Sequence, residues 1–379
     1  MSKTLVGGFN CLLGNPPWIA HAGRAAHRLA PHTKSFYSCV HPAFEGYPTT
    51  HGCFIGMVVK QLEDGGRLGI IVPSSVSELE GYFATRRAHD VYCDFPDELE
   101  DFGEGKFVGV TQPCMALVSR RTARGRGDAP AGAPWPMRRE DLSEVERRLI
   151  LRLKDWPTVP DELFAERGFQ SDRALAEHFS ECGQPSGRFT RPLREGTDVR
   201  EFELRPPRVY ADPVALGASL RSEAEYRAVE IVVRQTARFP IAARSDGVAF
   251  RNSLIAGFAR ADWPADAVVA LLNSQFIRWL HYNRFRDARQ PVMPQLKVAH
   301  LRAIPIDPGR WAAVCADLAA LGRKATEAAS ERPRQSALSQ VEAVVRAIYG
   351  LTAEECCAID DWASRLGIKR SWGESNGEI

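Results

Sequence analysis

Residues 11–20 read CLLGNPPWIA, and this stretch limits the fold more than any other. A short apolar run bounded by turn signals reads as a buried strand. The two prolines that follow each remove a backbone donor and fix their own φ. They also press the residues before them towards extended conformations. The strand must therefore stop at Asn15, in a stiff turn that holds up one amide and one large aromatic, Trp18. Such stiffness at the C-terminal end of a strand suits a place where chemistry happens.

The strand has company. Helical spacing in GCFIGMVVKQLEDGG (Phe54, Met57, Val58, Leu62) predicts a helix that stops at Gly65-Gly66. RLGIIVPSS predicts a second apolar strand, SELEGYFATRRAHD a helix, and VYCDF and PCMALVSRR two more strands. Continuous apolar strands alternating with helices argue for a parallel sheet covered on both faces. RRTARGRGDAPAGAPWP then breaks the pattern and reads as a linker or exposed loop, before a helix in REDLSEVERRLILRLKDW. From about 168 to 308 the texture becomes short strands and turns around one long helix, ADAVVALLNSQFIRWLHYN; residues 311–366 read as mainly helical, with a break near SERPRQS.

The chain is long enough, at 379 residues, for two or three domains. No apolar run is long enough to span a membrane, and no basic stretch followed by an apolar one opens the sequence. Nine scattered cysteines without a CxxC pair predict a reducing cytoplasm rather than a disulfide framework. His32, Cys39, His41, His51 and Cys53 match no standard zinc spacing, so no metal is expected. Net charge is +2, and only 8 of the 49 basic residues are lysine. A GC-rich genome explains that bias as well as phosphate recognition does. Local charge says more. Between Phe276 and Arg302 lie Arg278, Arg284, Arg286, Arg289 and Lys297, with Asp287 the single acid. Such a stretch reads either as phosphate contacts that position a protein on DNA or as a solvated helix face and loop.

Asn15-Pro16-Pro17-Trp18 after an apolar strand resembles motif IV of the amino-methyltransferases. LEDGGRLGIIVPSS resembles the next segment of the large adenine-specific DNA methyltransferases, and GKFVGVTQPCMALVSRR their motif VIII hairpin. PLREGTDVREFEL, EIVVRQTARFPIAA, FRNSLIAGF, LLNSQFIRWLHYN and LRAIPID follow in the order of the target-recognition region of type IIG and phage-defence adenine methyltransferases, and VEAVVRAIYGLTAEE resembles their helical tail. The resemblance implies an α/β fold: a partial Rossmann-like methyltransferase sheet from motif IV onward, an α+β target-recognition domain and a helical C-terminal tail. The boundaries expected are 1–121 for the partial catalytic domain, 122–165 for a linker and helix, 166–308 for recognition, and 309–379 for the helical region.

The family chemistry makes an adenine N6 amine reactive. Its lone pair is delocalised into the ring, and two acceptors for its hydrogens free the pair for attack on a sulfonium methyl. Carried over, Asn15 and the Pro16 carbonyl are those acceptors, Pro17 stiffens the turn, and Trp18 stacks on the flipped base. Phe107, at the motif VIII position, is the candidate for the opposite face, or else a core aromatic. The cofactor implied is S-adenosylmethionine and the partner double-stranded DNA. One departure stands out: in the family, motif IV lies on the fourth strand, whereas here its strand begins near residue 10. VGGF at 6–9 cannot serve as the cofactor loop. A complementing subunit carrying the motif I half is therefore expected, in a split restriction-modification or phage-defence enzyme. A non-catalytic DNA-recognition subunit and an inactive truncated methyltransferase stay open as alternatives.

Overall fold

The structure is a computed structural model that describes residues 8–23, 26–103, 106–107, 112–127, 130, 132–138, 142–170, 177–289 and 294–368. Val6 and Gly7 of VGGF lie outside the described residues, as do 105 and 108–111 of the motif VIII segment and 128, 129 and 131 of the linker stretch. The chain divides into two units, Met1–Asp141 and Leu142–Ile379. Among the described residues no helix is long and apolar enough to cross a membrane.

The N-terminal unit runs β1 (Phe9–Gly14), α1 (Pro31–Val40), α2 (Thr50–Val58), β2 (Leu62–Pro73), α3 (Ser75–Glu78), α4 (Phe83–Asp90), β3 (Cys93–Asp94), β4 (Leu99–Gly103), β5 (Cys114–Arg121) and β6 (Met137–Arg138). Its sheet has the order β1-β2-β5-β4-β6, with β3 also on β5. Only β1–β2 and β4–β6 are parallel; β5 runs antiparallel to β2 and β4. The sheet is thus mixed where the alternation predicted parallel. The predicted helix through Gly66 also ends earlier, at Val58, and β2 starts at Leu62. Gly65 (φ +82°) and Gly66 instead let β2 loop outward: a Cβ on Gly66 would lie 2.7 Å from the Phe9 carbonyl, and the β1 register shifts there.

One face of this sheet is a core. Leu68, Ile70 and Val72 of β2 and Met115 and Leu117 of β5 pack against Ile55, Val58 and Val76. The opposite face carries Phe9 (43% exposed), Leu13 (81%) and Val118 (46%). Arg67 and Arg120, paired across β2 and β5, are exposed at its end.

Arginine and tryptophan fasten the segment expected to be a linker. Trp135 is buried and donates to Asp90 (2.8 Å), which also pairs with Arg126 (3.4 Å) and with His89 Nδ1 (2.9 Å). His89 Nε2 lies 2.9 Å from the Ser119 hydroxyl, and its ring stacks on Phe95 at 5.0 Å. Arg86 donates to the Gly132 carbonyl at 2.8 Å. Polar groups this deep need partners, and Asp90 supplies them to three side chains at once.

In the C-terminal unit one four-stranded sheet orders Ala242–Arg244, Ile231–Arg234, Leu254–Gly257 and Phe164–Ala165, all antiparallel. A second orders Ala249–Phe250, Arg191–Arg194, Val209–Ala211 and Phe179–Ser180. The long helix predicted near 265–283 is two helices, Ala265–Asn273 and Gln275–Arg284. Ser274 leaves helical geometry (ψ 146°) and caps the second one through Ile277 N. The Asn273 side chain holds the break by bonding both the N–H and the carbonyl of Ala242. Helices Pro308–Glu327, Glu331–Tyr349 and Ala353–Arg365 close the unit.

Burial holds His51 down to about 4 and also lowers His89, in the N-terminal unit; His281, in the C-terminal unit, falls to about 3 through burial and the neighbouring His300. These folded-state values lie below the unfolded 6.5, so the unfolded chain takes up protons first. The stabilisation is complete above about pH 6.5 and is lost as pH falls, at up to about 1.4 kcal/mol per pH unit for each histidine. Melting temperature measured from pH 7 to 5 should fall steeply, and His51→Gln should flatten that dependence.

Candidate active site and nucleic-acid interface

Strands β1 and β2 run parallel, with Gly14 opposite Ile70, so both C-terminal ends reach the same edge of the sheet. Ligands of open α/β sheets gather at such edges. Leu13 lies over Gly69, where a Cβ would come 2.8 Å from Leu13 Cδ2. The Asn-Pro-Pro-Trp turn leaves this edge with Asn15 and Pro17 exposed and Pro16 buried. Trp18 is half-buried and donates its indole N–H to the Ile71 carbonyl at 3.2 Å, which ties the turn to the second strand. Phe107 meets Trp18 edge-on, with ring centroids 5.9 Å apart and planes at 81°. The structure therefore brings Trp18 and Phe107 together and leaves Asn15 exposed.

Two groups beside this edge escaped the sequence reading. Ser74, the first residue after β2, donates to Asp101 Oδ1 at 2.7 Å and receives no mark beyond a polar turn in VPSS. Asp101 sits on β4 and also accepts from Gly103 N at 3.0 Å. Its pairing with β2's end comes from strand order, which no local pattern encodes. Together the turn offers amide and carbonyl acceptors, an aromatic face and a hydrogen-bonded carboxylate. Among the described residues no glycine-rich loop follows a strand beside β1.

The basic stretch is used differently from one residue to the next. Arg278 is 5% exposed, pairs with Glu201 at 2.7 Å and lies over the Phe239 ring. Arg284 donates to the Ala303 carbonyl, and burial lowers its pKa. Arg289 donates to the carbonyls of Tyr282 and Asn283 at 2.9 and 3.1 Å. Arg286 is half-buried and has a partner. Lys297, the most open of these cations for which an ion pair is seen, holds Asp287 at 2.8 Å. Burial works against the Asp287 charge, yet His300 and Lys297 bring its carboxyl below the usual range. The five residues share one segment but not one exposed face. The loop 235–238 joins them from elsewhere in the chain: Leu296 N donates to the Gln235 carbonyl at 2.7 Å, and His281 Nδ1 lies 3.2 Å from the Arg238 carbonyl.

Residues 191–306 match the TaqI-like C-terminal specificity domain. The matched segment contains both short-stranded sheets in part, the two helices broken at Ser274, and the whole basic stretch. No curated protein matches the chain in sequence. Among solved structures, the type IIL restriction-modification enzyme MmeI in complex with DNA is similar over 92% of this chain, at 12% identity and a TM-score of 0.46. The type IIG restriction endonuclease BpuSI is similar over 90% at 12% identity, with a TM-score of 0.30. A putative S-adenosylmethionine-dependent methyltransferase from Listeria monocytogenes is similar over 34% at 14% identity, with a TM-score of 0.25, and this chain spans 36% of it. The chain spans about half the length of the first two, 56% and 54%.

Arg278→Ala should destabilise the C-terminal unit by about 2 kcal/mol, chiefly because it removes a buried side chain packed on Phe239. Lys297→Ala should cost under about 1 kcal/mol, as expected of a half-exposed pair. Urea unfolding of both variants checks the contrast.

Proposed function

We propose that this chain is the catalytic and recognition part of a site-specific adenine-N6 DNA methyltransferase of the restriction-modification or phage-defence kind, acting in the cytoplasm. The observation that carries the reading is the turn at the end of β1. Trp18 is held by the Ile71 carbonyl with Phe107 against it, and Asn15 stands exposed two residues before Pro17. In this reading a flipped adenine takes the Trp18 face. Phe107 turns from its edge-on position to cover the other side. The Asn15 side-chain oxygen and the Pro16 carbonyl accept the two amine hydrogens and orient the nitrogen lone pair. S-adenosylmethionine supplies the electrophilic methyl group when bound. The specificity domain supports the recognition half, with Lys297, Arg286 and the loop carrying Arg238 as candidate phosphate contacts; Arg278, Arg284 and Arg289 support them from within.

The cofactor-bearing half is assigned to a complementing subunit. Two features of the sheet support this. Among the described residues strand β1 pairs on one side only, and an open edge templates addition of another strand. Among the described residues the face bearing Phe9, Leu13 and Val118 is uncovered within the unit, and exposed apolar side chains grouped on one face mark an interaction surface. A partner that adds a strand to β1 and lays helices on that face would satisfy both.

Asn15→Ala in the reconstituted complex should lower methylation on the order of 10²-fold or more, since an oriented acceptor of the reacting group is lost. DNA affinity in a gel shift should stay within about twofold of wild type, because phosphate contacts elsewhere supply the grip. Affinity collapsing with activity would give Asn15 a structural role. Hydrogen exchange should show the amides of β1 that point away from β2 becoming protected only when the partner is present.

A further inference from the structure

No Asp or Glu occurs before Glu45. Between Trp18 and that residue the chain instead carries Arg24, Arg28, Lys34, four histidines (His21, His27, His32, His41) and the aromatics Phe36, Tyr37 and Phe44. A stretch of one sign, interleaved with aromatics, fits a polyanion with stacking faces.

The fold presents this stretch in a definite way. The His27 amide donates to the Ala20 carbonyl at 2.9 Å, two residues beyond Trp18, so the segment turns back beside the candidate active site. His21 fastens the turn, with Nδ1 2.9 Å from the His27 carbonyl and Nε2 3.0 Å from the Thr50 hydroxyl. Helix α1 follows, and none of its side chains is buried. Tyr37 anchors it, stacked on the buried Phe44 at 5.4 Å and 22°. Its neighbour Phe36 is left 59% exposed. Arg28 and Lys34 are exposed, and neither pairs with a carboxylate among the described residues. A helix that buries nothing gains little from its own packing, and an exposed phenylalanine has no role in this unit's core.

We infer that residues 27–37 form a second nucleic-acid contact, built into the catalytic unit and separate from the specificity domain. Arg28 and Lys34 engage phosphates of the DNA strand next to the flipped base. Phe36 stacks on a base that flipping leaves without its neighbour. The occupant is a locally opened DNA strand, chosen by charge: a segment with cations and no acid complements a phosphate backbone, whereas protein interfaces are depleted of lysine. The inference rests on the proposed action on DNA and adds where the opened strand is held.

The test uses the full chain and a fluorescent DNA duplex containing one mismatched base pair, with binding followed by anisotropy between 50 and 200 mM salt. Arg28→Ala/Lys34→Ala should lower the slope of log K against log salt by about 2, at roughly 0.9 per phosphate contact. Phe36→Ala should weaken binding to the mismatched duplex by about fivefold or more with the slope unchanged, as loss of a stacking face does. All three side chains are exposed, and equal melting temperatures will show that folding is intact. Wild-type slope and affinity in both variants would overturn this inference while leaving the proposed function standing. Absence of DNA binding by the wild-type chain would overturn both.

Discussion

The parallel pairing of β1 with β2 is the constraint from which the candidate active site follows. Leu13 lies against Gly69, and a Cβ on Gly14 would meet the Ile70 side chain at 3.5 Å, so the two strands approach closely where the prolines begin. The Trp18 indole then bonds to Ile71 on the second strand. A slip of one residue would turn Leu12 outward and Leu13 inward and would move the indole off its acceptor. The position of Asn15 is thus set by strand register and not by the turn alone.

Asp90 plays the corresponding part for the other end of the N-terminal unit. It receives Trp135 and Arg126 from a segment rich in glycine and proline, and it orients His89 towards Ser119. Segments of that composition are usually solvated because their backbone groups need water. Here arginine replaces the water. Arg86 satisfies the carbonyls of Val76, Leu79 and Gly132, and Arg126 those of Ala133 and Pro134.

The same use of arginine runs through the whole chain. Arg121 gathers three carbonyls around Leu62, Arg289 gathers two, and Arg302 and Arg334 cap Phe164 and Ala325. A guanidinium has five donors and is weakly hydrated, so it can be spent on backbone oxygens inside a fold. Arginine content is therefore a poor measure of phosphate binding in this protein. Exposure and pairing separate the cations: Lys297 is half-exposed but held by Asp287, whereas Arg28 and Lys34 are exposed and pair with no carboxylate among the described residues.

The sequence by itself determined the strand that ends at Asn15, the stiff turn with its aromatic, the mixture of α/β and short-stranded regions, and the helical tail. Each rests on local chemistry: proline fixes φ, an apolar run seeks burial, and Ser143 with Glu146 forms a capping box where the helix begins. Only the tertiary structure decided that β5 runs antiparallel, that Ser74 meets Asp101, that the long helix breaks at Ser274, and that Arg278 turns inward to Glu201. Those outcomes depend on groups 27 to 77 residues apart, or on an amide such as Asn273 finding Ala242 across a sheet. Side-chain spacing along a segment records which face is apolar; it holds no record of what that face, or a charged group beside it, will meet.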